Sequence, residues 1–281
     1  MPVIGYHILN VFAETPFGGN PLAVVEQADG LDDATMQAIA RQFNLSETTF
    51  ILPSHTAAAR VRIFTPTYEM PFAGHPTLGT AAVVAAGMTN AAGDHFELEL
   101  AAGSIPVRRV DGRWRLRANR ATHRPMEAGS AELAAMLGVP ASSLAGPGMW
   151  LDCGTEQPMI QLRTAADVEA CRIDAGLMAR CSTNKAGQAK TYVFARDGND
   201  FVARYFWLSG AAGVAEDPGT GSACANLGRW WQLTHGAQPL HANVHQARHS
   251  GRPCLLTLDV EGGEVEVGGK VVAIGTGELH W

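Results

Sequence analysis

Hydrophobic and polar positions change period along this chain in a way that sets many short strands against a few helices. Ile4, Ile8, Val11 and Phe12 lead into Pro16-Phe17-Gly18-Gly19-Asn20-Pro21, and the apolar run Leu22 to Val25 follows, which predicts a hairpin with a structured tip. Met36, Ile39, Ala40 and Phe43 then recur at helical spacing, with Asp32 or Asp33 as the cap and Asn44 as the stop. Strand signals follow at Glu47 to Leu52 and Arg60 to Phe64. A helix is expected to open at Pro76 or Thr77 and run through Ala86 to a stop at Gly87. Phe96 to Leu100, Ser104 to Val110 and Trp114 to Arg117 alternate as strands, broken at Gly103 and at the Asp111-Gly112 turn.

The loop near Ala118 to Pro125 is the best boundary, and beyond it the mixture repeats. Helices are expected at Ala131 to Leu137, around Ala166 to Arg172 and from about Ser222 to Trp231. Strands are expected at Pro158 to Leu162, Thr191 to Ala195, Phe201 to Trp207, Leu255 to Val260, Glu264 to Val267 and Lys270 to Ile274. The fold class is therefore α+β, since a doubly wound sheet would show regular strand–helix alternation. The domains are taken as 1–118 and 119–281, with the last strand, about 270–281, left open to return to the first.

Each half contains a stretch in which an extended segment ends in a tight glycine-containing loop and runs into an alanine-rich helix. The first is Glu69-Met70-Pro71-Phe72-Ala73-Gly74-His75-Pro76-Thr77-Leu78-Gly79-Thr80-Ala81, and the second is Glu216-Asp217-Pro218-Gly219-Thr220-Gly221-Ser222-Ala223-Cys224-Ala225. The start of a helix presents backbone N–H groups and the positive end of its dipole, so each stretch is a cradle for a carboxylate or similar anion. Two cradles suggest a duplicated fold with a site between its halves.

Composition narrows the function classes. At 281 residues and 46% hydrophobic the chain is long enough and apolar enough for a sizeable core. A net charge of −6 without any basic run argues against nucleic acid and anionic membranes as partners. Met1 to Phe12 lacks the pattern of a secretory leader, and the most apolar stretch elsewhere, Ala81 to Ala86, is too short to span a bilayer, so a cytoplasmic location is expected. Cys153, Cys171, Cys181, Cys224 and Cys254 form no C-x-x-C pair, and an odd, scattered set fits a reducing compartment. Cys224 stands out, two residues after Ser222 at a helix start where a thiolate is stabilised, although a packed helix residue is the commoner reading.

Glu47, in Asn44-Leu45-Ser46-Glu47-Thr48-Thr49-Phe50, begins a strand among apolar and hydroxylated neighbours. A half-buried carboxylate there suits general acid and base work, and a structural hydrogen-bonded Glu is the alternative. His75 lies on the first cradle and Asp217 begins the second. One imidazole, two acids and two anion-binding turns together describe a site for moving protons on carbon. No metal is expected: His241, His245 and His249 are evenly spaced, but Ser250-Gly251-Arg252-Pro253 breaks any helix there and no acidic ligand accompanies them. Gly219-Thr220-Gly221-Ser222 lacks the lysine of a phosphate loop, and no G-x-S-x-G elbow exists, so Ser222 reads as a cap or a substrate hydrogen-bond donor.

Phe17-Gly18-Gly19-Asn20-Pro21-Leu22-Ala23-Val24-Val25, Leu45-Ser46-Glu47-Thr48, Arg62-Ile63-Phe64-Thr65-Pro66, the run Pro71 to Ala81 and the run Glu216 to Ala223, with Gly251-Arg252-Pro253 near the end, resemble the phenazine-biosynthesis PhzF-like isomerase family over almost the whole chain. The resemblance implies a diaminopimelate-epimerase-like fold, with two pseudo-symmetric domains, each a central helix wrapped by a strongly curved mixed sheet or barrel, and the active site in the cleft between them. It also implies a homodimer, no cofactor and a small carboxylate substrate. By this resemblance Glu47 is the catalytic acid and base and Gly74, His75, Asp217 and Ser222 bind substrate, to which the second cradle adds Gly219, Thr220 and Gly221; the expected substrate is a small cyclic or unsaturated carboxylate, of which trans-2,3-dihydro-3-hydroxyanthranilate is the family's example. The two cysteines that epimerases of this fold use fall on Ala73 and Pro218 here, which cannot carry a proton.

The segments 150–158, 205–210 and 246–249 depart from the family pattern, and they are expected to line the second-domain side of the cleft, where they would bear on substrate choice. Two rival readings are a non-catalytic member that binds a metabolite or a protein through the inherited site, and a hydrolase built on Cys224, which lacks a recognisable base.

Overall fold

The computed structural model describes residues 3–88, 91–210 and 213–280. The chain divides into two compact units, one of residues 1–117 and 268–281 and one of residues 118–267. In the first unit β1 (Val3–Val11) and β2 (Asn20–Val25) form an antiparallel hairpin. Helix α1 (Asp33–Phe43) then carries the chain to β3 (Thr48–Leu52), which lies parallel to β2. Its limits are those the sequence predicts: Asp32 accepts from the Thr35 N–H at 2.8 Å, and Asn44 ends the helix in the left-handed conformation. Met36 and Ala40 of α1 are buried with Ile4, Val25, Phe50 and Phe64.

From β3 the chain turns antiparallel into β4 (Ala59–Phe64) and the short β5 (Glu69–Met70), passes through helix α2 (Gly74–Ala86), and returns as β6 (His95–Leu100) parallel to β4. The meander β6, β7 (Gly103–Val110) and β8 (Arg113–Arg117) follows, with both residues of the Asp111-Gly112 turn at positive φ.

The second unit repeats this order. After β9 (Thr122–Pro125) and helix α3 (Ser130–Leu137), β10 (Met149–Asp152) and β11 (Glu156–Gln161) form an antiparallel hairpin. Helices α4 (Ala165–Ala170) and α5 (Ala175–Cys181) lead to β12 (Lys190–Asp197), parallel to β11. β13 (Asp200–Leu208) and β14 (Val214–Asp217) turn antiparallel, helix α6 (Gly221–His235) follows, and β15 (Leu240–Gln246) returns parallel to β13. β16 (Cys254–Glu261) pairs with β15, and β17 (Glu264–Gly269) comes next. The last strand, β18 (Val271–His280), pairs antiparallel with β1. A hairpin, a helical crossover to a parallel strand, and a second crossover through a short strand and a buried helix thus occur once in each unit.

α2 and α6 are the buried helices, with eight and nine buried residues respectively, so neither has the polar face of a surface helix. A glycine lets each approach its neighbours. A Cβ on Gly79 would lie 2.4 Å from Leu22 Cδ2, and one on Gly228 would lie 2.5 Å from Val265 Cγ1. Leu22 and Val265 are fully buried and have no room to retreat.

The structure differs from the sequence expectation in several places. α2 starts at Gly74, ahead of Pro76, because the Thr77 N–H already bonds to the Ala73 carbonyl at 3.2 Å and Pro76 has no N–H to place. The segment 118–125 contains β9, which pairs with β10, and 175–181 is helical. The stretch from Gly210 to Gly213, expected to lead into the second cradle, includes residues 211 and 212, which lie outside the described residues. Among the described residues, no helix is long and apolar enough to cross a membrane.

Candidate active site

Glu47 is the residue before β3, and β3 fixes it against α2. Thr80 on α2 donates its hydroxyl hydrogen to the Pro76 carbonyl at 2.8 Å, so the 2.7 Å contact between Thr49 and Thr80 has Thr49 as donor. Both threonines are fully buried. The Glu47 side chain is only 16% exposed, and its Oε2 lies 3.3 Å from Nε2 of His75, the second residue of α2. Burial pushes the His75 pKa down to about 3, although a hydrogen bond with the Pro21 backbone opposes the shift. The imidazole is therefore neutral near pH 7, and its contact with Glu47 is not an ion pair. Asn20 Nδ2 lies 3.4 Å from the other ring nitrogen. At the start of α2 the cap residue Ala73 offers no side-chain bond. The first-turn N–H groups of Gly74 and His75 thus sit at the positive end of a helix that has no capping carboxylate or hydroxyl of its own.

The second cradle is held together by side-chain amides. Asp217 ends β14, opposite Tyr205 of β13, and the Thr220 hydroxyl donates to its Oδ2. The fully buried Gln246 at the end of β15 holds this turn with its whole amide. Its Nε2 donates to the Asp217 carbonyl and to Thr220 Oγ1, both at 2.9 Å, and its Oε1 accepts from the Thr220 N–H at 3.2 Å. Thr220 occupies the cap position of α6 without a side-chain capping bond, and Gly219, Gly221 and Ser222 complete the turn. Ser222 is the second helical residue and not the cap. Behind it, Gln157 Nε2 lies 2.9 Å from Ser222 Oγ.

The structure thus brings Glu47, Gly74 and His75 together in one unit and Asp217, Gly219, Thr220, Gly221 and Ser222 together in the other. Sequence reasoning missed Gln157, Asn226 and Gln246 as parts of the second cradle. The signal for Asn226 was present, since a lone amide within Ala223-Cys224-Ala225-Asn226-Leu227 sits one helical turn after Ser222. Of the three departing segments, 150–158 reaches this turn through Gln157, 205–210 through Tyr205 and 246–249 through Gln246. Arg248 and His249 instead border a separate small cavity with Glu169, Arg204 and Glu216.

Cys224 takes the commoner of its two readings, that of a packed helix residue. It is fully buried, and burial pushes its thiol well above the ordinary value, so it is a packing residue and not an activated nucleophile. His241 and His245 lie on strand β15, and each histidine of the evenly spaced set has a different carboxylate: Asp259 at 2.7 Å, Asp200 at 3.4 Å and, for His249, Glu169 at 3.2 Å. Among the described residues, no group of three His, Cys, Asp or Glu side chains is placed to hold a metal ion.

Comparison with known proteins agrees with the motifs. Residues 9–277 match the PhzC-PhzF family of phenazine biosynthesis-like proteins. An uncharacterised isomerase of Pasteurella multocida is 41% identical over 280 residues, covering 98% of this chain and 93% of the relative. The trans-2,3-dihydro-3-hydroxyanthranilate isomerase of Pseudomonas aeruginosa is 35% identical over 289 residues, covering 98% and 99%. A crystal structure of a PhzF-family protein from Bacillus anthracis superposes with a TM-score of 0.88 at 23% identity over the full length of both chains, which establishes the shared α+β fold.

Proposed function

This chain belongs to the PhzF-like family of isomerases, and from that premise we propose that it moves a proton between carbons of a small cyclic or unsaturated carboxylate, with Glu47 as the sole acid and base. The observation that carries the reading is the largely buried Glu47 carboxylate 3.3 Å from an imidazole that burial keeps neutral. A His75 whose pKa burial holds at about 3 is a weak base and adds no positive charge, so proton transfer to and from carbon is assigned to the carboxylate.

In the proposed step, Glu47 takes a proton from a C–H next to a double bond. The C–H electron pair becomes a new π bond while the existing one moves along the chain of carbons. Protonated Glu47 then returns the proton to the far carbon. Substrate and product are isomers, and no electrons are gained or lost. His75 and Gly74 at the start of α2, and Asp217, Gly219, Thr220, Gly221 and Ser222 at the start of α6, are assigned to the polar groups of the substrate, including the negative charge that develops as the proton leaves. The reading needs no cofactor, because every group that handles a proton or charge is a side chain or a backbone N–H. Ala73 and Pro218, at the positions of the paired epimerase cysteines, offer no acid or base, so a two-cysteine racemase is not proposed.

The substrate named for the Pseudomonas aeruginosa relative is the first to test. Proton NMR in deuterated water, run over trans-2,3-dihydro-3-hydroxyanthranilate and other cyclic and unsaturated carboxylates, should show solvent exchange or isomerisation at carbon that disappears in Glu47→Gln. Exchange that survives this substitution contradicts the assignment of Glu47. Binding without exchange across the whole set would favour the non-catalytic, metabolite-binding alternative.

A further inference from the structure

The Ser222 hydroxyl is oriented from behind by groups whose polarity leaves no choice. The Cys153 backbone N–H can only donate, so the Asn226 atom 3.0 Å from it is the amide oxygen. Nδ2 of the same amide faces the carbonyls of Leu151 and Thr155, both at 3.1 Å, which can only accept. That nitrogen also lies 2.7 Å from the Gln157 amide. Gln157 must present its oxygen there, since a flipped amide would set donor against donor. Its Nε2 is then left facing Ser222 Oγ at 2.9 Å. An amide nitrogen does not accept, so Ser222 accepts from Gln157 and its single hydrogen is directed elsewhere. Gln157 is 1% exposed and Asn226 0%, so bulk water does not compete for these bonds.

We infer that Gln157, locked by Asn226, is a positioning residue that keeps the Ser222 hydroxyl a hydrogen-bond donor toward an acceptor group of the substrate. The inference rests on the reading in which Ser222 touches substrate, and it adds the side chain that decides the polarity of that contact. A free serine hydroxyl rotates and accepts as readily as it donates. A carboxylate offers only acceptors, so a hydroxyl already turned to donate meets it without reorganisation. The sequence departure at 150–158 thereby acquires a specific role. Its Gln157 does not line the substrate; it sets the hydroxyl that does.

Neutron diffraction from a deuterium-exchanged crystal tests the polarity independently of the substrate. A Gln157 amide deuteron should point at Ser222 Oγ and the Ser222 deuteron should point away from Gln157. A Ser222 deuteron aimed at Gln157 overturns the inference. A kinetic arm uses trans-2,3-dihydro-3-hydroxyanthranilate with Gln157→Glu, Gln157→Met and Ser222→Ala. The ionised carboxylate introduced by Gln157→Glu would accept from Ser222 and turn its hydrogen inward, so KM should rise about 10- to 100-fold, as in Ser222→Ala, with kcat changed less. The loss should fade as pH is lowered, because a protonated carboxyl can donate to Ser222 again. Gln157→Met, of similar volume, frees the hydroxyl to rotate and should fall between the native chain and Ser222→Ala; this variant and the neutron map carry the test if the buried carboxylate of Gln157→Glu prevents folding. Equal losses in Gln157→Glu and Gln157→Met at every pH would mark a packing role alone and contradict the inference. A native protein that leaves this substrate unchanged, yet shows the expected deuterons, would remove the proposed substrate and leave the positioning of Ser222 intact.

Discussion

The starts of α2 and α6 occupy the same place in their respective units, between a short strand and the return to a parallel one, yet different groups hold them. Around α2 the surroundings are apolar enough to hold an imidazole neutral next to a carboxylate. Around α6 an amide network from β11, α6 and β15 holds the Thr220 and Ser222 hydroxyls, the Thr220 N–H and the Asp217 carbonyl. An apolar setting suits a group that must exchange a proton with carbon, while a saturated network suits recognition, because its donors and acceptors are already aimed. On the proposed reading, one architecture, used twice, separates chemistry from binding.

The largest effect expected from this difference is on turnover. Glu47→Gln should lower kcat by roughly 10²- to 10⁴-fold, with substrate affinity and the folded structure retained. Such a variant, measured by steady-state kinetics and by ligand titration, breaks the comparison if it loses binding in proportion to rate.

The shared architecture should respond equally in both units. Gly79→Ala and Gly228→Ala each place a methyl group against a buried side chain, and each should cost about 1–3 kcal/mol in chemical denaturation. A variant as stable as the native chain at either site contradicts the close approach of that helix.

Acid should distinguish the two cradles through His75. Its pKa falls from an ordinary 6.5 to about 3 in the folded protein. Between these values the unfolded chain binds a proton at this position that the folded chain does not, so stability is lost as pH falls through that window. His75→Gln should flatten this part of the stability profile, measured by urea denaturation between pH 7 and pH 4. An unchanged acid slope would mean that the imidazole protonates in the folded state. The smallest effect belongs to Cys224→Ser, which should leave the pH dependence of turnover unaltered because the buried thiol takes no part in it.

Much of the first cradle was legible in the sequence because its cues are local. Asp32 and Asn44 bracket α1, and Glu47, Gly74 and His75 lie in short stretches whose turn residues announce them. The second cradle was legible only in outline. Asp217 and the glycines stand in one motif, but the groups that orient them come from far along the chain: Gln157 lies 65 residues from Ser222, and Gln246 lies 26 from Thr220. Strands β9, β10 and β15 escaped for a related reason, since their partners and not their periodicity define them. β15 illustrates this: the spacing of His241 and His245 was read without an acidic partner, whereas the sheet gives each a carboxylate from a neighbouring strand. β18 runs to His280, within the expected last strand of about 270–281, although Gly275 and Gly277 interrupt the apolar pattern after Ile274. Gly277 lies against the Tyr6 side chain, whose hydroxyl oxygen a Cβ there would meet at 2.5 Å and whose ring Cζ at 2.7 Å.

The separation of chemistry from binding is tested most directly by comparing Glu47→Gln with Asp217→Asn at saturating trans-2,3-dihydro-3-hydroxyanthranilate, with isomerisation followed by NMR. Turnover should collapse in Glu47→Gln, while Asp217→Asn should need more substrate yet reach within about 10-fold of the native rate, as expected when a binding group is lost. An Asp217→Asn variant that remains as inactive as Glu47→Gln at saturation would place proton chemistry in the second cradle and contradict the account.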